Sequence, residues 1–213
     1  MKSSLSLALA VVLLVLGTQA CSSSTTNRSS GDQTLFRDDF SSVGKWDRAR
    51  ANEGVTDYKD GSFHIQVNAP NTDIWANPGL NFTDVRIEAD ATKIGGPENN
   101  EFGLICRYKD KSNFYFFAIG SDGYFGIFKV KDGQNILINR SEMSSSNAIK
   151  GEVNQNHLRA DCVGSTLTFY VNGALLDQKE DAEFTSGDVG LIAGTYDEVG
   201  TEVLFDNFVV MRP

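Results

Sequence analysis

The chain has 213 residues, with 19 Lys and Arg against 28 Asp and Glu and a net charge of −9. A field of that sign repels phosphate backbones and anionic lipid head groups, which sets nucleic acid aside as a partner. The two histidines, His64 and His157, stand far apart, and the sequence holds no Cys–His cluster at zinc spacing, no H-E-x-x-H, no glycine-rich nucleotide loop and no G-x-S-x-G elbow.

Residues 1–20 read as a secretory signal. Lys2 supplies the positive start, Leu5 to Leu16 is almost wholly apolar, and Ala20 is the small residue before the cut. The stretch is too short for a comfortable membrane span. Cys21 follows, and SSSTTNRSSGDQ behind it makes residues 21–33 a flexible Ser/Thr-rich tether. A cysteine at that point resembles the lipobox of bacterial lipoproteins, whose thiol is acylated before the signal is removed. Thr18 and Gln19 depart from the Leu and the small residue usual there. The resemblance implies lipidation of Cys21 and an extracytoplasmic protein anchored to the cell envelope, held at the bilayer without spanning it. Cleavage after Ala20 that leaves an unmodified cysteine is the other reading. Without Lys2 the mature chain carries 18 basic and 28 acidic residues, a charge of −10.

The remainder, residues 34–213, suits one domain whose core buries roughly 70% of its unfolded surface. LFRDDF, from Leu35 to Phe40, predicts a first strand, and Trp46 follows as a cap on one end of the core. GVTDY and SFHIQV, joined by Lys59-Asp60-Gly61, predict a hairpin with Phe63, Ile65 and Val67 on one face. A short strand from Asp73 to Ala76 carries Trp75. From Asp84 to Ile94 the alternation is clean: Val85, Ile87, Ala89 and Ala91 face one way, and Arg86, Glu88, Asp90 and Thr92 the other.

Glu101 to Val130 organises the rest. Three aromatic and branched runs are separated by Lys109 to Asn113 and by Gly120 to Gly123, which predicts consecutive antiparallel strands. The middle run, Phe114 to Ile119, has no plainly polar face and suits the centre of a sheet covered on both sides. A further strand from Asn135 to Asn139 and a polar loop from Ser141 to Asn147 follow. HLRADCV, TLTFYVN, ALLDQKE, DVGLIAG and TEVLFDNFVV then read as the closing strands. No apolar pattern of helical period runs longer than a turn or two. Cys106 and Cys162 sit in two of these runs as an even pair in an oxidising compartment. A disulfide between them would close a loop of about 56 residues, worth roughly 4 kcal/mol less any strain; two separate buried thiols fit the same runs.

About a dozen short strands, with Asx-Gly turns at 60–61, 122–123, 132–133 and 172–173, predict an all-β, two-sheet antiparallel sandwich. The order FGLICRYKDKSNFYFFAI, DGYFGIFKV, LRADCVGSTLTFYVNG, GDVGLIAG and VLFDNFVV resembles the concanavalin A-like lectin/glucanase jelly roll. More narrowly it is similar to the laminin-G-like or sugar-hydrolase-related domains of bacterial surface lipoproteins, over roughly Leu35 to Val210. Such folds host lectins, glycosidases, lyases and adhesion modules alike.

Retaining glucanases of that superfamily carry a Glu-x-Asp-x-Glu strand motif. Glu88-Ala89-Asp90 comes nearest and has Thr92 where the third acid belongs, so a glycoside-cleaving enzyme would use Glu88 and Asp90 or an acid that no motif marks. Their alternation with Val85, Ile87 and Ala89 equally makes them the solvated side of a half-buried strand. The resemblance also implies a structural Ca²⁺ held by Asp206 of the last strand, the Gly61 carbonyl, and Asp38 or main-chain oxygens near it. Asp206 shares parity with Leu204 and Phe208, which would bury its carboxylate in part; Arg37, Lys59 or backbone N–H groups are the alternative partners. Jelly-roll lectins hold sugars through aromatic rings and polar groups on a concave sheet, which makes Trp75, Arg107, Tyr115, Tyr124 and Lys129 the candidate ligand contacts. Rings in such dense apolar runs also fit the core. The expectation is a monomeric, envelope-anchored, non-catalytic module that binds an extracellular glycan or glycoconjugate. A glycoside-cleaving enzyme and an adhesion module without a small ligand are the alternatives.

Overall fold

Branched and aromatic runs punctuated by Asx-Gly pairs become strands throughout the computed structural model, which describes residues 33–151 and 153–213. The first eight are β1 (Thr34–Asp38), β2 (Ala49–Arg50), β3 (Gly54–Lys59), β4 (Ser62–Val67), β5 (Thr72–Ala76), β6 (Val85–Gly95), β7 (Asn100–Asp110) and β8 (Asn113–Ile119). There follow β9 (Tyr124–Lys131), β10 (Gln134–Leu137), β11 (Ser144–Ser145), β12 (Gln155–Val163), β13 (Thr166–Val171), β14 (Ala174–Glu180), β15 (Asp188–Thr195) and β16 (Thr201–Met211). Asp60-Gly61, Asp132-Gly133 and Asn172-Gly173 all take positive φ at both positions, the backbone that two-residue hairpin turns need.

The strands form an all-β, jelly-roll sandwich of two antiparallel sheets. One sheet runs β14-β13-β12-β6-β16-β4-β3-β2, with β1 also paired to β16; the other runs β10-β9-β8-β7-β15-β5, with β11 paired to β9. On β6 the expected alternation holds: Val85, Ile87, Ala89 and Ala91 are buried and the residues between them partly exposed. Rings fill one end of the core, where Trp46 is 3% exposed and packs on Phe40, Phe63 and Phe208. Phe36 lies 6.2 Å from Phe208, so the first and last strands meet through their side chains as well as their backbones. Each fully buried ring of this kind contributes about 1.5–3 kcal/mol. Cys106 on β7 and Cys162 on β12 form a disulfide that joins one sheet to the other.

Candidate functional site

Trp75 and Tyr124 reach the outer face of the seven-stranded sheet, but Arg107, Tyr115 and Lys129 are turned elsewhere. β7 bulges at Arg107, whose φ is 54°, and the strand's parity breaks there. The guanidinium is 1% exposed and donates to the carbonyls of Thr83 (3.3 Å) and Phe184 (2.8 Å), with Asp84 Oδ1 at 3.4 Å. Gly187 packs against this bulge, where a Cβ would stand 2.4 Å from the Arg107 carbonyl carbon; only glycine fits so close to backbone. Tyr115 points into the core, donating its hydroxyl to Asp181 Oδ1 (2.5 Å) and accepting the Phe184 N–H (3.0 Å). Burial pushes that hydroxyl's pKa up. Lys129 Nζ lies 2.5 Å from Asp181 Oδ2. With Lys131–Glu183 and Arg140–Asp177 it clasps the edge of the sandwich between β9–β10 and the end of β14.

On the outer face of the seven-stranded sheet, Ile105, Phe114, Phe116, Phe128 and Ile192 form a second apolar cluster bordered by Trp75, Tyr108 and Met143. At one end the face changes character. Gly194 of β15 pairs with Asp73 of β5 on one side and Glu101 of β7 on the other. With no side chain between them, the two carboxyls meet over the glycine: a Cβ there would stand 2.1 Å from Asp73 Oδ1 and 3.2 Å from Glu101 Oε1. The carboxyls hydrogen-bond to each other, and Tyr196 donates its hydroxyl to Glu101 Oε2 at 3.2 Å. Glu101 is 4% exposed. Burial, and after it the charge of Asp73, pushes the Glu101 carboxyl well above its ordinary 4.5. Burial raises Asp73 as well. Burial also pushes the Tyr196 hydroxyl up, which keeps it a donor.

Beside Tyr196 opens a cleft of about 370 Å³ lined by Asn99, Asn100, Asp122, Tyr124, Glu142, Met143 and Tyr196. Tyr124 is 46% exposed at its mouth. Asn100 is buried beneath it, donating to Pro97 O, Glu98 O and Ser121 Oγ at 2.6, 3.0 and 3.1 Å. Thr195 Oγ1 donates to Ala69 O at 2.5 Å and fixes the backbone just before Tyr196. Among the described residues no Lys, Arg or His lines this cleft. A wider depression of about 470 Å³ around Arg48, Arg50 and Asp57 offers no ring face, since its Trp46 is turned into the core.

Carboxyls in hydrogen-bond contact stand closer than the roughly 5 Å that retaining glycoside hydrolysis requires, and much closer than the inverting separation. No motif singles out Asp73, Glu101, Asp122, Glu142 or Tyr196 in the sequence. A fainter signal is present: Asp73 alternates with Trp75, and Glu101 with Gly103 and Ile105, which sets an acid in line with apolar or small residues on each strand.

Glu88 and Asp90 lie on the outer face of the nine-stranded sheet, away from that cleft. His157 of β12 stands between them, with Nδ1 2.8 Å from Asp90 Oδ1 and Nε2 3.5 Å from Glu88 Oε2. Asn207 Nδ2 donates to Asp90 Oδ2 at 2.9 Å. A small hollow of about 200 Å³ adjoins them, where the Arg159 guanidinium stacks 4.4 Å above Tyr170.

The residues expected around calcium have the following surroundings. Asp38 accepts from Phe40 N–H (2.8 Å) and Trp46 Nε1 (3.2 Å), and Gly61 sits in its hairpin turn. Asp206 differs from its expected parity because β16 bulges at Asn207, φ 51°: the inward register passes from Phe205 to Phe208, and Asp206 faces outward opposite Asp90. Its Oδ1 accepts the Asn207 N–H at 2.6 Å. No group of three His, Cys, Asp or Glu gathers around a common point among the described residues. The signal, Cys21 and the tether lie outside the described residues, apart from Gln33.

No family model and no curated protein matches the chain. Solved structures share its fold. The carbohydrate binding module CBM66 from Bacillus subtilis superposes with a TM-score of 0.63 at 18% identity, over 79% of this chain and 96% of that one. A protein of unknown function with a galectin-like fold, also from Bacillus subtilis, gives 0.64 at 12% identity, over 84% and 96%. A xylan beta-1,4-xylosidase from Bacillus halodurans gives 0.57 at 13% identity, over 83% of this chain and 39% of the enzyme.

Proposed function

We propose that this sandwich binds an extracellular carbohydrate without cleaving it, in the cleft beside Tyr196, and that a lipid on Cys21 holds it at the cell envelope. The observation that carries the reading is the row Asp73–Gly194–Glu101, which leads through the Tyr196 hydroxyl to a cleft with carboxylates and tyrosine rings at its walls. Carboxylates accept sugar hydroxyls, and ring faces cover the C–H face of a pyranose. A fold shared with a carbohydrate binding module and a galectin-like protein supports the same reading.

A glycan array probed with the purified protein tests it. Binding to a subset of glycans, lost in Tyr124→Ala while the melting temperature holds, is the expected result; a flat array defeats the proposal. One observation favours a second reading, an adhesion module without a small ligand: rings already fill the middle of the outer face. Incubating bound glycans with the protein and analysing products tests the glycoside-cleaving alternative through Glu88 and Asp90. Mass spectrometry of the mature N-terminal peptide, beside Cys21→Ser, tests the anchor.

A further inference from the structure

The charged residues that line the cleft are both acidic. Asp122 and Glu142 stand in its wall, and Asp73 and Glu101 lie behind Tyr196 as a hydrogen-bonded pair. The field of Asp122 also reaches the Tyr196 hydroxyl, together with those of Glu101 and Asp73. Arg140, two residues before Glu142, is held by Ser144 and Asp177, and Lys129, five residues after Tyr124, by Asp181. A ligand entering here meets two carboxylates in a lining that, among the described residues, holds no Lys, Arg or His.

From that charge distribution in a ring-walled cleft we infer that the preferred ligand is a glycan bearing free amino groups, an unacetylated 2-amino sugar. This rests on the glycan-binding reading above and narrows it to one substrate class. An ammonium at the wall gains charge-assisted hydrogen bonds from Asp122 or Glu142, roughly twice as strong as those of a hydroxyl. A uronate or sialate would set like charge against like at the cleft wall, which disfavours it against a cationic ligand. Tyr124 and Tyr196 supply ring faces and a hydroxyl donor for the sugar itself, which a bare cation cannot use.

Calorimetry with the purified protein separates the possibilities. The probes are a glucosamine hexamer, the N-acetylglucosamine hexamer, an uncharged glucose hexamer and an oligogalacturonate, at a pH that keeps the amine protonated. The glucosamine hexamer binds about tenfold more tightly than its acetylated counterpart, the galacturonate does not bind, and Asp122→Asn combined with Glu142→Gln erases the difference. Both side chains are exposed, so that variant keeps the fold, checked by its melting curve. Equal or tighter binding of a neutral or acetylated hexamer overturns the inference and leaves glycan binding standing. Oligolysine of the same charge binding as well as the glucosamine hexamer also overturns it, by reducing the effect to charge alone. Failure of all the sugars defeats the inference and the glycan reading together.

Discussion

Replacing Arg107 with Leu separates a structural guanidinium from a ligand-binding one. The side chain is 1% exposed and ties the loop carbonyls of Thr83 and Phe184 to the bulge of β7. Its contact with Asp84 adds little, because Asp84 is 46% exposed and screened by water. Losing the 2.8 Å bond to Phe184 O and the longer one to Thr83 O leaves two acceptors without their charged donor, at about 1.5–3 kcal/mol for a bond of this kind. Together with imperfect filling by Leu, the loss comes to about 3–5 kcal/mol. For a domain of this size each kcal/mol moves Tm by roughly 2–4 °C, so a fall of roughly 6–20 °C is expected. Guanidinium unfolding and scanning calorimetry measure it, with glycan binding followed well below the new Tm. Arg107→Lys falls between, keeping the charge but not the planar fork. Stability within about 1 kcal/mol of the parent, with binding abolished, would refute the reasoning and return Arg107 to the ligand site.

Three further outcomes follow from the same geometry. Replacing Cys106 and Cys162 together by Ala removes the tie between the sheets and costs about 4 kcal/mol in a chemical-denaturation series, for a separation of 56 residues; an unchanged midpoint would mean that the reduced chain is already constrained. Glu101→Gln removes a carboxyl whose pKa is raised in the folded state, so the stability that the proton maintains is present below about pH 4.5 and lost as pH rises through the raised value. The variant therefore melts higher than the parent at about pH 8, and the gap closes towards about pH 4; a gap of the opposite sign would place the Glu101 charge in a favourable setting. Calcium or a chelator should leave Tm unmoved, because Asp38 already takes two donors and Asp206 faces away from the core. A calcium-dependent rise of several degrees would reinstate a cation site at those residues.

The sandwich was legible where one rule governed a whole strand. Strict alternation from Val85 to Ala91 marks the buried face of β6, and the Asx-Gly pairs mark turns, with positive φ at both residues of 60–61, 132–133 and 172–173 and at Gly123 alone in the fourth. Reading failed where a bulge inserted a residue. Parity carried past Asn207 assigns Asp206 to the face of Phe208, and the charge of Arg107 in an apolar run marks it as a ligand contact, although both backbones turn at φ near 50°. Nothing in a linear count announces a bulge. The acid pair was hidden for a different reason. Asp73 and Glu101 are 28 residues apart in the chain and become neighbours only because β15, which arrives almost a hundred residues later, inserts Gly194 between them.

β16 occupies an interior lane of the larger sheet, with β6 on one flank and β4 and β1 on the other. Every other strand in that layer is synthesised before the one that joins its two halves. Until residues 201–211 emerge, the hairpin of β3 and β4 and the ribbon led by β6 have no hydrogen-bonded link across the gap. Such long-range closure makes for slow folding, governed by the last segment to appear. In a chain exported as proposed, that delay keeps the polypeptide threadable until its final strand is available.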